Sequence, residues 1–309
     1  MFIRPFRTAA LACLGALLLA CTPAGRIDRR ALIKQHIYSD YKDMYRQPSG
    51  IALRFPYITP GSKQYDAVLW DWDSWLSDVA LRQTLCDVGT EADRQEALVY
   101  EQGCVLNYLA YTSPEDGYMP MVLSAATDPD KIRPEDIHAT NMHKPCLAQH
   151  AAFLVQQAGG DAEWLREGYP RMQAFIRNYH DHHRHAPTGL YYWQDDLAIG
   201  VDNDPSTFFR PKGSSASIYL NCLMYKELRA MSYLGGRLGL AESEAEYAAQ
   251  ADALRDAVRT WCWDEKDGMY YSCDLNLLPF TGEPQYIFGT QMVLHAGAPR
   301  DYPCLIQRI

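Results

Sequence analysis

Trp70-Asp71-Trp72-Asp73-Ser74-Trp75 runs on through Leu76, Val79, Ala80 and Gln83 at helical spacing, so a helix is expected over 73–88. Six more segments read the same way: 30–46, 94–112, 145–158, 162–183, 214–235 and 243–261. Within 94–112 one face is traced by Ala97, Leu98, Cys104, Val105, Tyr108 and Leu109. Gly159-Gly160 and Gly235-Gly236 read as helix stops, and Ser243-x-x-Glu246 as a capping box that opens the last helix. The one strand signal is a short hairpin, Trp263-Asp264 against Met269-Tyr270-Tyr271, turning at Asp267-Gly268. No βαβ rhythm, G-x-G-x-x-G motif or P-loop is present, which removes support for nucleotide-binding folds. Long loops at 48–72, 113–144, 185–212 and 262–309 hold the unusual residues. Loops of that length are functional or disordered, and these are too aromatic for disorder. The expected class is all-α, a helical scaffold with its chemistry in the loops.

Composition narrows the chemistry. The 309 residues are 48% hydrophobic and 22% charged, an ordinary globular balance that excludes collagen, coiled coil and wholesale disorder. A net charge of −9 argues against a phosphate backbone as partner, so no nucleic acid is expected. The aromatics are lopsided, with 21 Tyr and 7 Trp against 9 Phe. Tyr and Trp join an apolar face to a polar handle, which suits a wet site that stacks on rings.

Arg4 and Arg7 precede the apolar run Ala9 to Ala20, which ends in Leu18-Leu19-Ala20-Cys21. A charged start, a short apolar run and small residues before a cleavage point make an export signal, too short to span a membrane. Leu-Leu-Ala-Cys also resembles the bacterial lipobox. That resemblance implies a signal over 1–20, lipidation at Cys21 and, with Thr22 following, an outer-membrane lipoprotein anchored through Cys21. Residues 21–48 then form a linker with the first helix, and 49–309 the main domain. Export permits disulfides. The remaining Cys86, Cys104, Cys146, Cys222, Cys262, Cys273 and Cys304 are odd in number and fit no zinc template. Most, Cys222 among them, read as small buried hydrophobes, leaving room for one bridge and no disulfide scaffold.

Three stretches could carry chemistry. In Trp70 to Trp75, indoles alternate with carboxylates where a helix begins. Asp73 or Ser74 would serve as a cap, but capping needs one such residue, whereas rings beside acids suit the apolar and hydroxyl faces of a pyranose. Gly189-Leu190-Tyr191-Tyr192-Trp193 leads through Asp195-Asp196 to Gly200-Val201-Asp202-Asn203-Asp204-Pro205. Acids crowded beside aromatic walls raise one another's pKa, as a general acid requires; an Asx-rich turn closed by Pro205 is the plainer alternative. His180, His182, His183 and His185 end the helix 162–183 beside Arg184, where the dipole favours positive charge. They are read as structural, and neither a metal nor a cofactor is expected. Isolated Ser and Cys residues lie in no nucleophile-elbow context.

Taken in order, Trp72-Asp73-Ser74, Lys144-Pro145, Gly189 to Trp193 with Asp202-Asn203, and Trp263 to Tyr271 resemble glycoside hydrolase family 63 with its mannosylglycerate hydrolase and trehalase relatives, over roughly 50–309. The resemblance implies an (α/α)6 toroid with long active-site loops, agreeing with the helix-and-loop reading. It implies hydrolysis of α-linked glucosides or related sugars by inversion, an acid protonating the leaving oxygen and a second carboxylate activating water. It carries the acid to Asp202, and sugar contacts to Trp72, Asp73, Tyr192, Trp193, Asn203 and Lys144. Where the family often shows Gln-Pro-Pro, this chain has His143-Lys144-Pro145-Cys146. The family's base, a Glu late in the domain, has no counterpart. An inverting pair needs carboxyls ~6.5–9.5 Å apart, so a toroid truncated at its C-terminus, inactive or crippled, is expected.

Two other readings compete. A SusD-like helical glycan-binding lipoprotein would share the lipobox and the Tyr/Trp richness, yet no self-similar period is present. A polysaccharide lyase would want a Tyr/His pair and a cation, with the histidine stretch as its only support. The expected partner is an oligosaccharide or a small α-glycoside.

Overall fold

The computed structural model describes residues 28–60, 65–128, 142–201, 203–208 and 210–287. Cys21, Asp202 and Cys304 lie outside them. The helices are α1 (Arg29–Asp40), α2 (Asp71–Val88), α3 (Glu91–Tyr111), α4 (Leu147–Gln157), α5 (Tyr169–His182), α6 (Asp196–Ile199), α7 (Ile218–Arg237), α8 (Ala241–Trp261) and α9 (Leu278–Thr281). Burial sorts the long ones into two layers. Helix α7 is buried on nearly every side, from Ile218 to Gly235, and α4 from Leu147 to Val155. Helices α5 and α8 bury single stripes: Tyr169, Met172, Ile176 and Tyr179 in the first, Tyr247, Ala251, Leu254 and Val258 in the second. A helix apolar all round belongs inside, and a striped one outside. Helices α4 and α7 therefore lie in an inner row, which α2 joins by packing against α4, with α3, α5 and α8 behind it, in the alternating double ring of an (α/α)6 toroid.

Helix α2 departs from its expected face. Leu76 is 51% exposed, and Ala80 and Gln83 also face outward, while Asp71, Ser74, Asp78, Leu81, Arg82 and Leu85 are buried. The apolar stripe was the legible one, but the buried face is polar because partners neutralise it. His150 Nε2 meets Asp78 at 2.5 Å, and the Arg82 guanidinium bridges both oxygens of Glu101. Buried charges persist only when paired in this way. Burial still pushes the Asp78 and Glu101 carboxyls upward.

Other local expectations shift for similar reasons. Helix α8 begins at Ala241, so Ser243 lies inside it and no capping box forms there; the box sits at Thr90 and Asp93, opening α3. Asp93 also accepts the hydroxyls of Tyr38 and Tyr41, which docks α1. Helix α7 runs through Gly235 and Gly236, because Gly235 lies against the Tyr169 hydroxyl and α8, where a side chain would collide. The loops hold more strand than expected: β1 (Tyr45–Arg46), β2 (Tyr57–Ile58), β3 (Val68–Trp70), β4 (Val122–Ser124), β5 (Ser215–Ala216), β6 (Trp263–Asp264), β7 (Met269–Tyr270), β8 (Ser272–Asp274) and β9 (Tyr286–Ile287). They pair antiparallel as β1-β2, β3-β4, β5-β8-β9 and the expected hairpin β6-β7. Each is only two or three residues long, too short to leave a period-2 signature. Cys222, expected as a buried hydrophobe, is disulfide-bonded; Cys104, Cys146, Cys262 and Cys273 are buried and free.

Candidate active site

The N-terminal ends of the three inner helices converge, and those of α2 and α4 bring the Trp70 to Trp75 and Lys144-Pro145 stretches singled out in the sequence. Strand β3 pairs with β4, Leu69 opposite Leu123, and the Tyr108 hydroxyl donates to the carbonyls of Leu69 and Met121 beneath them. This floor delivers the chain directly into α2 at Asp71. Helix α4 is entered through His143-Lys144-Pro145-Cys146. Its first amides, Ala148 and Gln149, donate to Glu227 of α7 at 2.7 and 3.1 Å, so a buried acid on one inner helix caps the next. Burial lifts the Glu227 carboxyl to about 7.

At the centre lies a buried ion pair. Asp71 and Lys144 are 0% and 1% exposed at their side chains, with the ammonium 3.2 Å from the carboxylate. Asp71 also accepts the Lys144 backbone N–H at 2.9 Å. The same ammonium lies 5.2 Å from the Trp72 ring centroid, a cation–π distance, and contacts the Met121 thioether. Lys144 is thus enclosed by protein, where it holds Asp71 and Trp72. Asp73, one residue beyond Trp72, is half-buried. Burial and then the Asp71 charge raise its pKa, against the pull of Lys144.

The loop after Trp193 closes on this pair. Gly200 sits at φ +72°, and a Cβ there would lie 2.6 Å from Lys144 Cε and 3.5 Å from the Trp72 ring. Only a residue without a side chain brings this loop so near, and the left-handed backbone adds its own requirement for glycine. Gly200→Ala should therefore destabilise the fold by about 1–3 kcal/mol, measured by urea unfolding. A variant as stable as the parent would show that the loop does not rest on Lys144.

Acids within the loop have structural employment. Asp195 caps α6, accepting the Ala198 N–H, and pairs with Lys212 at 3.6 Å. Asp196 accepts the Thr207 hydroxyl at 2.8 Å and the Asn203 N–H. Asp204 is buried and accepts the Ser206 N–H at 2.7 Å, the Asx turn that the sequence allowed. Asn203 is exposed in left-handed backbone at φ +62°. Asp202 itself lies outside the described residues, between Val201 and Asn203.

Tyr192 and Trp193 arrive on a hairpin. Asn221 of α7 accepts the Tyr191 N–H and donates to its carbonyl, clasping the segment as a strand partner would. Tyr192 spends its hydroxyl on the His182 carbonyl at 2.8 Å, and Trp193 is 3% exposed. His183 is buried against Tyr179 and Tyr192, so the histidine stretch backs this hairpin. Among the described residues no cluster of three metal-ligating side chains occurs. Trp193 reaches Trp72 through a residue that carried no sequence signal: Tyr219 of α7, whose ring lies 6.0 Å from Trp72 and 6.2 Å from Trp193. In sequence it is one more apolar position of a buried helix. The structure thus brings Trp72, Asp73, Lys144, Trp193 and the Gly200 end of the loop together.

Residues 66–287 match the family described as the mannosylglycerate hydrolase MGH1-like glycoside hydrolase domain, well over half of the chain. A mannosylglycerate hydrolase of glycoside hydrolase family 63 from Thermus thermophilus, solved in complex with glucose, superposes with a TM-score of 0.54 at 20% identity. That alignment covers 80% of this chain and 67% of the hydrolase. A neutral trehalase from Saccharomyces cerevisiae superposes with a TM-score of 0.52 at 12% identity, over 82% of this chain and 56% of the trehalase. At these identities the two likenesses establish the toroid fold. The chain spans about two thirds of the first protein and little more than half of the second.

Proposed function

Since the chain belongs to the MGH1-like glycoside hydrolase family, we propose that it acts on α-linked glucosides or related sugars by inversion, as an exported lipoprotein held at the cell envelope through Cys21. The observation that supports this most is the meeting of Trp72, Asp73 and the Gly200 loop over the Asp71–Lys144 pair. An indole offers a sugar's apolar face a stacking surface, and a half-buried carboxyl beside it offers its hydroxyls an acceptor. In this reading Asp202 is the general acid. That role follows the family resemblance; Asp195, Asp196 and Asp204 of the same loop accept backbone amides and a hydroxyl. Trp72, Asp73 and Trp193 wall the sugar site. Lys144 acts through Asp71 and Trp72 as a positioning residue, Tyr192 braces the hairpin, and Asn203 lies at the rim.

We assign no carboxylate of these residues as the base, so turnover by the 309-residue chain alone is expected to be slow. Binding does not require the base. Titrating tryptophan fluorescence with methyl α-D-glucoside and methyl α-D-mannoside should give a saturable change that Trp72→Ala weakens more than tenfold. Where turnover is measurable, proton NMR should show the β-anomer released first. A wild-type protein indifferent to both glycosides, or first release of the α-anomer, would overturn the reading.

A further inference from the structure

Tyr219 stands second in α7, where the inner helix enters the site. Its ring is tilted 55° to Trp72 and 43° to Trp193, so three aromatic rings run as one wall from α2 to the 191–193 segment. The Tyr219 hydroxyl is buried and makes no hydrogen bond, and the Trp193 indole N–H beside it is in the same condition. So are the hydroxyls of Ser214, Ser215 and Ser217, which lead into α7. Buried polar groups in native proteins are nearly all paired, and each exception calls for a reason. Several groups around them are matched. Asp71 has Lys144, the Tyr192 hydroxyl has the His182 carbonyl, and Asn221 has both polar groups of Tyr191. Two of these donors, the Tyr219 hydroxyl and the Trp193 indole N–H, belong to the aromatic wall shared with Trp72, which the glycoside reading assigns to the sugar.

The chemistry of the hydroxyl is settled by its surroundings. Burial raises its pKa first, and the nearby Cys146, Asp71 and Asp73 push in the same direction. It is therefore a neutral phenol, able to donate. A desolvated donor beside aromatic faces, with the acceptor Asp73 close by, is complementary to a hydroxylated ring: C–H faces on the indole, ring oxygens toward the phenol and indole N–H. A site built to hydrogen-bond a substrate hydroxyl also rejects an analogue lacking it, because its own polar group is then left unpaired.

We propose that Tyr219 is a specificity-determining substrate contact, its hydroxyl donating to a hydroxyl oxygen of the bound sugar between Trp72 and Trp193. This rests on the glycoside reading above. The test is Tyr219→Phe, which keeps the ring wall and removes one oxygen. Fluorescence titration with methyl α-D-glucoside and methyl α-D-mannoside should show affinity for the preferred glycoside falling about tenfold, equivalent to ~1.4 kcal/mol. The urea midpoint should be unchanged or higher, since the lost hydroxyl bonded to nothing in the fold. A clear drop in that midpoint would mean that the hydroxyl serves the fold, and would overturn the inference. Unchanged affinity in Tyr219→Phe, with Trp72→Ala weakened, would overturn it while leaving the glycoside reading intact. A wild type indifferent to both glycosides would remove both.

Discussion

Lys144→Met should lower the free energy of unfolding by about 3–5 kcal/mol, the cost of stranding a buried charge whose partner has been removed. Asp71 is fully enclosed, and the ammonium is the cation that its carboxylate contacts. Methionine fills nearly the same volume, so the loss is electrostatic and not a cavity. Against a typical total of about 5–15 kcal/mol, a drop of that size brings the chain close to unfolding, and urea titration would read it directly. A second variant separates charge from shape. Adding Asp71→Leu to Lys144→Met removes both ions, and replacing a buried pair by apolar groups is often neutral. Recovery should be partial, because Asp71 also accepts the Lys144 backbone N–H, which leucine leaves unpaired. A double variant no better than the single would mean that the pair contributes by packing alone. Trp72 and Gly200 both rest on this ammonium, so the single variant should lose sugar affinity as well.

Much of this arrangement was legible in the residues, for identifiable reasons. Long helices declare themselves by periodicity; Ala97, Cys104, Val105, Tyr108 and Leu109 of α3 are buried as their spacing predicts. The Trp70 to Trp75 stretch stood out because alternating indoles and acids are rare and are not needed for a cap. What periodicity cannot show is pairing across the fold. Asp78 and Arg82 look like solvent-facing residues until His150 and Glu101, 72 and 19 positions away, are brought against them. Lys144 reads as a residue reaching for a ligand, since lysine is almost never fully buried unless paired, and its pairing with Asp71 spans 73 positions. Tyr219 left no trace because a ring inside an all-buried helix has no distinguishing neighbour in sequence. The short strands were missed for a different reason: two-residue ladders depend on which loops meet, not on local alternation.

Asp202→Asn should cost kcat about 10²–10⁴-fold, the range of general-acid help, on a glycoside whose leaving group is an alcohol. An amide of the same shape cannot deliver the proton that an alkoxide needs as the glycosidic bond breaks. The demand for that proton depends on the leaving group. An activated phenolate such as 4-nitrophenolate departs without protonation, so the same variant should lose far less on a 4-nitrophenyl α-glycoside than on the methyl or glyceryl one. A structural lesion in the loop would not discriminate, since it misplaces both substrates alike and lowers both rates together. Asp196→Asn supplies that comparison. Asp196 holds the Thr207 hydroxyl and the Asn203 N–H, so its loss should reduce turnover of the two substrates by a similar factor. Equal losses on both substrates in Asp202→Asn would place Asp202 among the loop's structural acids and send the search for the proton donor to Asp73, whose half-buried carboxyl is already shifted toward its protonated form.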